Sequence, residues 1–281
     1  PVMLESSWQA AVYRRMRFFA PMQLVPLRID EYLACRRADK VVVVADEHIP
    51  RIRKLGATLE DILVVTNTED VDYFDGLEID ESVVERFRDD FVILYVGGFG
   101  PQRGLDVAIR AMPSILESIP NARFVLVGSG IIQSELEALA EQLELGDRVT
   151  FEGHQPFERL PSYIRTSRVC LIPHISTPNV ETGMPNKIFQ FMILGRPIVI
   201  SSIRPMMRVV DDARCGLVFE DRNPESLAEK VIELKDPALR RRLGENGRRA
   251  VERRYNWKTS VQPVLRVYRE WNDARGAAYG K

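Results

Sequence analysis

Short apolar runs alternate with amphipathic stretches along most of the chain. The apolar runs lie at 92–96, 124–127, 149–151, 169–173, 198–200 and 217–219. Apolar residues recur at helical spacing at 105–119, 133–143, 157–166, 187–194 and 206–212. Strands that alternate with helices are typical of βαβ units, so we predict an α/β fold whose parallel sheet is flanked by helices.

The pattern changes before residue 90. Strands are predicted at 40–45 and 62–66, with a basic helix at 47–55 between them. Because two strands make only half of an α/β domain, we expect residues 1–66 to be the remnant of a domain whose beginning is missing. The acidic stretch 67–90 is interpreted as an irregular interdomain linker. A complete domain over 91–254 and a terminal helix with its tail over 255–281 follow.

Composition excludes several classes of protein. The chain has 281 residues, and 39 Lys and Arg nearly balance 40 Asp and Glu, so no basic field favours a nucleic acid partner. Three widely spaced cysteines favour reduced thiols and a cytoplasmic protein over a disulfide framework. No apolar run is long enough to span a membrane, and no histidines, cysteines or acids have the spacing of metal ligands.

The helix predicted from residue 187 has an unusual beginning. Gly183 and Pro185 suit a tight turn and a first helical position, so the backbone N–H groups near Asn186 should be free. Free N–H groups and the positive end of the helix dipole favour an anion. We therefore predict a phosphate-bearing ligand here, at an edge where open parallel sheets usually bind ligands.

Other candidates follow the predicted strands. Gly97, Gly98 and Phe99 begin a glycine-rich turn that leads to Arg103, whose guanidinium can bind phosphate oxygens. Gly128 lies in the turn after the second of these strands. His154 and His174 follow the third and fourth strands. His154 is interpreted either as a contact to a base or as a surface histidine, and His174 as a substrate-facing residue.

Taken together and in this order, several motifs resemble one family. They are VGGFGPQRGLD, FVLVGSG, VTFEGHQPFERLPSYIRTSRVCLIP, ETGMPNKIFQFMILGRPIV, CGLVFEDRNPESLAEKV and RRAVERRYNW. Over roughly residues 32–272 the chain resembles the retaining nucleotide-sugar glycosyltransferases of the GT-B fold, family 4, group 1. The resemblance implies two Rossmann-like domains that face each other across a cleft. The domain at 91–254 would bind the donor, and the domain of which 1–66 is part would bind most of the acceptor. The terminal helix would cross back to that first domain.

The resemblance also implies an activity. A sugar would pass from a nucleotide-diphospho-sugar to a polysaccharide, lipid-linked or small-molecule acceptor with retention of configuration, without a further cofactor. The protein would be cytoplasmic or peripheral at the inner face of the membrane, and the present chain alone would be inactive. The basic and aromatic segment that starts at Trp8 fits either such a membrane contact or a helix packed on missing structure. Pro21 and Pro26 should break any long amphipathic helix there, which favours the packed helix.

Residue by residue, the resemblance is incomplete. The family commonly has an Arg and a Lys that clamp the diphosphate; here Gly98 stands at the Arg position and Arg103 at the Lys position. Lys187 is interpreted either as the source of the absent charge or as a solvated lysine at the start of the helix. The family's two glutamates, eight positions apart, correspond to Thr182 and Gln190, and Glu181 would take the sugar-facing role.

The resemblance therefore implies Arg103, Lys187 and Glu181 as catalytic groups. It implies as donor-binding residues Gly97, Gly98, Phe99, Gly128, His154, Thr182, Gly183, Met184, Pro185, Asn186 and Gln190. The substitutions also fit a non-catalytic nucleotide-sugar-binding homologue. A GT-B epimerase is a further alternative, although it needs acid and base carboxylates that the sequence does not obviously show.

Overall fold

The computed structural model describes the backbone of residues 20–279 and the side chains of residues 29–273. The basic and aromatic segment around Trp8 lies outside the described residues. The chain divides into two compact units, Pro1–Val65 and Thr66–Lys281. Each unit is described by itself.

The first unit contains a small parallel sheet. Strands β1 (Val41–Val43) and β2 (Ile62–Val64) pair in parallel, with Val41 opposite Ile62. Helices α1 (Ala20–Arg37) and α2 (Ile49–Lys54) precede and connect them. The described part of α1 continues through Pro21 and Pro26, so neither proline ends the helix.

The second unit is built on a six-stranded parallel sheet with the order β5-β4-β3-β6-β7-β8. Its strands are β3 (Phe91–Val96), β4 (Ala122–Val127), β5 (Val149–Phe151), β6 (Val169–Ile172), β7 (Ile198–Ser201) and β8 (Gly216–Phe219). All six predicted strands are confirmed. The chain winds outward from β3 in one direction and from β6 in the other, so the sheet has a topological switch point between these two strands.

Helices cover both faces of this sheet. They are α3 (Val71–Asp75), α4 (Glu81–Arg86), α5 (Leu105–Ser118), α6 (Gln133–Gln142), α7 (Leu160–Thr166), α8 (Lys187–Ile193), α9 (Arg204–Ala213), α10 (Pro224–Glu233), α11 (Pro237–Arg253), α12 (Trp257–Ser260) and α13 (Gln262–Tyr279). Alternate residues of β3 enter two hydrophobic clusters: Ile93 packs with α5 and α10, whereas Leu94 packs with α7, α8 and α9. Among the described residues, no helix has the length and apolar character needed to cross a membrane.

The acidic stretch predicted to be irregular contains two short helices. The side chains of Asp70 and Asp80 accept hydrogen bonds from the backbone N–H groups of Tyr73 and Ser82, and so cap α3 and α4. Phe74 is fully buried in the cluster that contains α8. Capped helices and a buried aromatic ring therefore make this stretch part of the second unit.

Candidate functional site

The loops that follow β3 and β6 meet at the switch point of the sheet. The backbone N–H of Ile175 donates to the carbonyl oxygen of Gln102 across 2.9 Å. A Cβ on Gly104 would lie only 1.9 Å from the carbonyl oxygen of Pro173, and Gly104 has a positive φ of 63°. Only glycine permits this approach, which brings the two loops into backbone contact.

The glycine-rich turn is held by the neighbouring strand. Gly97 N–H donates to the carbonyl oxygen of Val127, and Phe99 N–H donates to that of Ser129, each at 2.9 Å. A Cβ on Gly128 would lie 2.0 Å from the carbonyl oxygen of Gly97, so glycine is required there as well. The Phe99 ring is 1% exposed and packs in the core. The Phe99 ring thus shapes the turn from the core side, and a donor contact from Phe99 would come from its backbone.

Lys187 reaches the same turn from the start of α8. Its Nζ lies 4.1 Å from the centroid of the Tyr95 ring. A Cβ on Gly97 would lie 2.7 Å from this Nζ, so any larger residue would displace the ammonium. Burial, and then the positive charge of Arg103, hold the pKa of Lys187 well below its ordinary value. The side chains of Lys187 and Arg103 therefore lie close enough at the end of β3 for their positive charges to repel each other.

His174 joins them from the end of β6. Its side chain is 3% exposed, and its Nε2 has no hydrogen-bond partner among the described residues. Burial, and then the charges of Lys187 and Arg103, lower the pKa of His174 well below its ordinary value. A neutral imidazole next to two cations leaves an electropositive site with an unused polar nitrogen.

Glu181 and Thr182 already have hydrogen-bond partners in the protein. The Ser176 hydroxyl donates to Glu181 Oε1 at 2.7 Å, and Arg204 Nε donates to Oε2 at 3.1 Å. Burial alone would raise the pKa of Glu181, but these hydrogen bonds outweigh it and hold the pKa below its ordinary value. The Thr182 hydroxyl donates to the carbonyl oxygens of Pro178 and Asn179. A sugar-facing role for Glu181 would compete with these partners.

The turn before α8 is tied to the core. Met184 is 4% exposed, and its carbonyl oxygen accepts a hydrogen bond from Asn67 Nδ2 at 3.4 Å. The Pro185 and Asn186 carbonyl oxygens accept from the N–H groups of Ile188 and Phe189. Met184 is thus the buried member of this turn, Gly183 and Pro185 are half-buried, and Asn186 is exposed.

Gln190 has a partner that the sequence did not predict. It is 6% exposed, and its Nε2 donates to Glu69 Oε2 across 3.0 Å. The carbonyl oxygen of Glu69 accepts in turn from the N–H of Trp257 at 3.0 Å. A carboxylate thus lies beside the position where the family resemblance led us to expect a glutamate. Glu69 was missed because it falls in the stretch interpreted as a linker.

The structure brings together only some of the predicted residues. Gly97, Arg103 and Lys187 converge at the switch point, together with His174. His154 instead follows β5 and is exposed. Among the described residues, no three His, Cys, Asp or Glu side chains cluster so that they could hold a metal ion.

The chain is similar to known proteins. Residues 78–250 match the family described as Glycosyl transferases group 1. An uncharacterized glycosyltransferase of Methanocaldococcus jannaschii, MJ1607, is 29% identical over 249 residues, which cover 85% of this chain and 62% of that protein. A D-inositol 3-phosphate glycosyltransferase of Acidothermus cellulolyticus is 31% identical over 191 residues, which cover 65% of this chain and 41% of that protein.

A solved structure has the same architecture. Anabaena Alr3699/HepE in complex with UDP-glucose superposes with a TM-score of 0.72 at 20% identity, over 87% of this chain and 67% of that one. The α/β architecture with a parallel sheet flanked by helices matches that of GT-B glycosyltransferases. With a family match that covers more than half of its length, the chain belongs to the Glycosyl transferases group 1 family.

Proposed function

We propose that the protein is a glycosyltransferase that moves a sugar from a nucleotide-diphospho-sugar to an acceptor. The observation that carries the proposal is the meeting of Lys187, Arg103 and Gly97 at the switch point of the sheet, where the ammonium lies against the glycine backbone. The family supports it, and so does the fold shared with a protein whose structure contains UDP-glucose.

In this proposal the diphosphate lies between Lys187 and Arg103. The absence of a side chain at Gly97 lets phosphate oxygens approach the ammonium. As the bond between sugar and phosphate breaks, negative charge grows on the departing diphosphate, and the two cations stabilise it. Groups that interact more strongly with the transition state than with the bound substrate raise the rate. Leaving-group stabilisation is therefore the main contribution of these residues.

We further infer family 4 membership and retention of configuration. Retention by double displacement needs a carboxylate nucleophile against the anomeric carbon. Glu181 is a poor candidate because Ser176 and Arg204 hold both of its oxygens. Front-face attack assisted by the departing phosphate needs no such nucleophile. In this scheme residues 91–254 carry the donor and residues 1–66 belong to the acceptor side.

Calorimetric titration of the protein with UDP, GDP, ADP and their glucose conjugates tests the donor site. We expect at least one nucleoside diphosphate to bind and the variant Lys187→Ala to lose most of that affinity. If none of the six compounds binds, the donor-site proposal is wrong. Binding unaffected by Lys187→Ala would place the nucleotide elsewhere.

A second candidate is a nucleotide-sugar-binding homologue without activity. It is favoured by the contact between Gln190 and Glu69, because this amide already donates to a protein carboxylate. The two candidates differ in turnover. A protein that binds UDP-glucose, but never releases UDP with any acceptor or with water, is the non-catalytic homologue.

A further inference from the structure

A second electropositive site lies at the other end of α8. A surface cavity of about 590 Å³ opens where α8 ends, beside the last turn of α7 and the middle of α11. Its lining includes Arg165, Arg196, Arg241, Arg248 and Arg249. Lys187 begins α8 and this cavity follows its end, so the cavity is separate from the proposed donor site.

The floor of the cavity is rigid. A Cβ on Gly244 would lie 2.0 Å from the carbonyl oxygen of Gly195, so α11 and the turn after α8 are in backbone contact. Arg248 Nη1 donates to the carbonyl oxygen of Ile193 at 2.7 Å and fixes the last turn of α8 to α11. The shape therefore exists before any ligand binds, which reduces the entropic cost of binding.

The charges of the lining residues do not balance. Five arginines face two carboxylates, Asp75 and Glu245. Asp75 is paired with Arg248 at 2.9 Å, and Arg248 also pairs with Glu252. No ion pair with a carboxylate involves Arg165, Arg196 or Arg241 anywhere in the described part of the chain. Only Glu245 remains to offset the other arginines of the cavity.

Arg196 is the most constrained of these cations. Its Nη2 donates to the carbonyl oxygen of Arg165, whereas its Nε is buried and has no hydrogen-bond partner among the described residues. Burial lowers the pKa of Arg196, and the positive charges of Arg168 and Arg165 lower it further. Arg196 is half-buried, and an anion that reaches the cavity stabilises its guanidinium, with the unpartnered Nε, among these like charges.

We propose that this cavity binds a phosphate group carried by a small phosphorylated molecule or a lipid headgroup. The planar guanidinium presents paired N–H donors that match the oxygens of phosphate, which is why arginine clusters recognise this group. The volume falls in the range of small-molecule sites and exceeds the needs of a bare ion. The site is independent of donor binding and binds its ligand whether or not a nucleotide is present.

The test uses inorganic pyrophosphate in a low-salt titration, and vesicles of phosphatidylglycerol against vesicles of phosphatidylcholine. All titrations are made in the Lys187→Ala background, so that the donor site does not contribute. The double variant Arg165→Gln, Arg241→Gln removes two exposed cavity cations and leaves the half-buried Arg196 in place. Arg242→Gln is the matched control, because Arg242 is an exposed arginine of the same helix outside the cavity.

We expect the double variant to lose at least about tenfold in affinity for the probe that binds, while Arg242→Gln loses less than about twofold. A free phosphorylated ligand predicts binding of pyrophosphate, and a lipid headgroup predicts cosedimentation with the anionic vesicles. The proposal is overturned if neither probe binds, or if the double variant binds as tightly as the control. Donor binding is measured separately with UDP. A result that contradicts the phosphate site in this cavity therefore does not bear on the proposed donor site, and the reverse also holds.

Discussion

The ammonium of Lys187 lies 4.1 Å from the centroid of the Tyr95 ring, in a cation–π contact. Tyr95 is fully buried near the end of β3, and its hydroxyl donates to the carbonyl oxygen of Gly98 at 2.9 Å. One ring therefore holds both the lysine from α8 and the glycine-rich turn. Burial raises the pKa of Tyr95, so it stays a neutral hydrogen-bond donor. Because the ring is fixed by the core, the position of the ammonium is fixed with it.

Replacing this lysine by methionine separates its charge from its packing. Lys187→Met keeps most of the stem, so the free energy of unfolding should stay the same or rise, because a desolvated charge is removed. UDP affinity should fall about tenfold to a hundredfold, since hydrogen bonds to charged groups contribute about 1.5–3 kcal/mol. Chemical unfolding and calorimetric titration measure the two effects. Lys230→Met, whose lysine pairs with Glu233 on the surface, is the control and should leave UDP binding unchanged.

The lowered pKa of Lys187 also predicts a dependence on pH. The unfolded chain holds its proton up to the ordinary lysine pKa of 10.5, and the folded protein releases it earlier. Between these two pKa values the unfolded state binds more protons, so this group makes stability rise with pH. A bound diphosphate favours the charged ammonium, so binding takes up a proton and UDP affinity falls as pH rises through the same window.

Titrations in buffers of different ionisation enthalpy measure that proton uptake directly. The uptake should disappear in Lys187→Met. An equal binding enthalpy in all buffers for the unchanged protein would show that Lys187 is already fully charged before the ligand arrives.

Alanine substitutions at two glycines with positive φ distinguish the cost of backbone strain from the cost of a steric clash. Gly104 has a φ of 63° and no room for a Cβ, whereas Gly146 has a φ of 52° and open space around it. Gly146→Ala should cost about 1–2 kcal/mol in the free energy of unfolding, from conformation alone. Gly104→Ala should cost at least about 2 kcal/mol more, because the Pro173 carbonyl must move. Urea unfolding compares them, and equal losses would contradict the close approach of the two loops.

His174 allows a test of the unused imidazole nitrogen. His174→Phe keeps a ring of similar shape and removes a buried nitrogen that has no partner among the described residues. Thermal stability should therefore be retained or rise, while donor affinity should fall about tenfold because the ligand loses a hydrogen bond. The affinities for UDP and UDP-glucose are measured together. A loss for both places the contact on the phosphates, a loss for UDP-glucose alone places it on the sugar, and no loss contradicts a ligand contact.

The strands were predictable from the sequence because a parallel sheet covered on both faces consists of nearly continuous apolar runs. The helices at 67–90 were not, since acidic residues outnumber apolar ones there. The capping positions of Asp70 and Asp80 were the signal that this interpretation overlooked. Lys187 and Gly97 could be placed together because both lie at the carboxyl edge of the sheet. The contact between Glu69 and Gln190 spans 121 positions, and local spacing carries no information about it.

That contact leads to a final prediction. Gln190 Nε2 donates to Glu69 Oε2 at 3.0 Å, and Gln190 is buried. Gln190→Glu would set two carboxylates at this distance, so the free energy of unfolding at neutral pH should fall by about 1–3 kcal/mol. The loss should shrink on acidification, because a proton shared between the two groups restores the hydrogen bond.

The exchanged pair Glu69→Gln, Gln190→Glu supplies the decisive comparison. It keeps one amide and one carboxylate but moves the carboxylate onto α8. Stability should return to within about 0.5 kcal/mol of the original protein, because the hydrogen bond forms in the opposite direction. Glu78→Gln, at an exposed acid of the same stretch, is the control. If the double variant is as unstable as Gln190→Glu, the contact does not stabilise the fold. If it is stable and binds UDP more tightly than the original protein, the carboxylate on α8 is the better partner for the nucleotide.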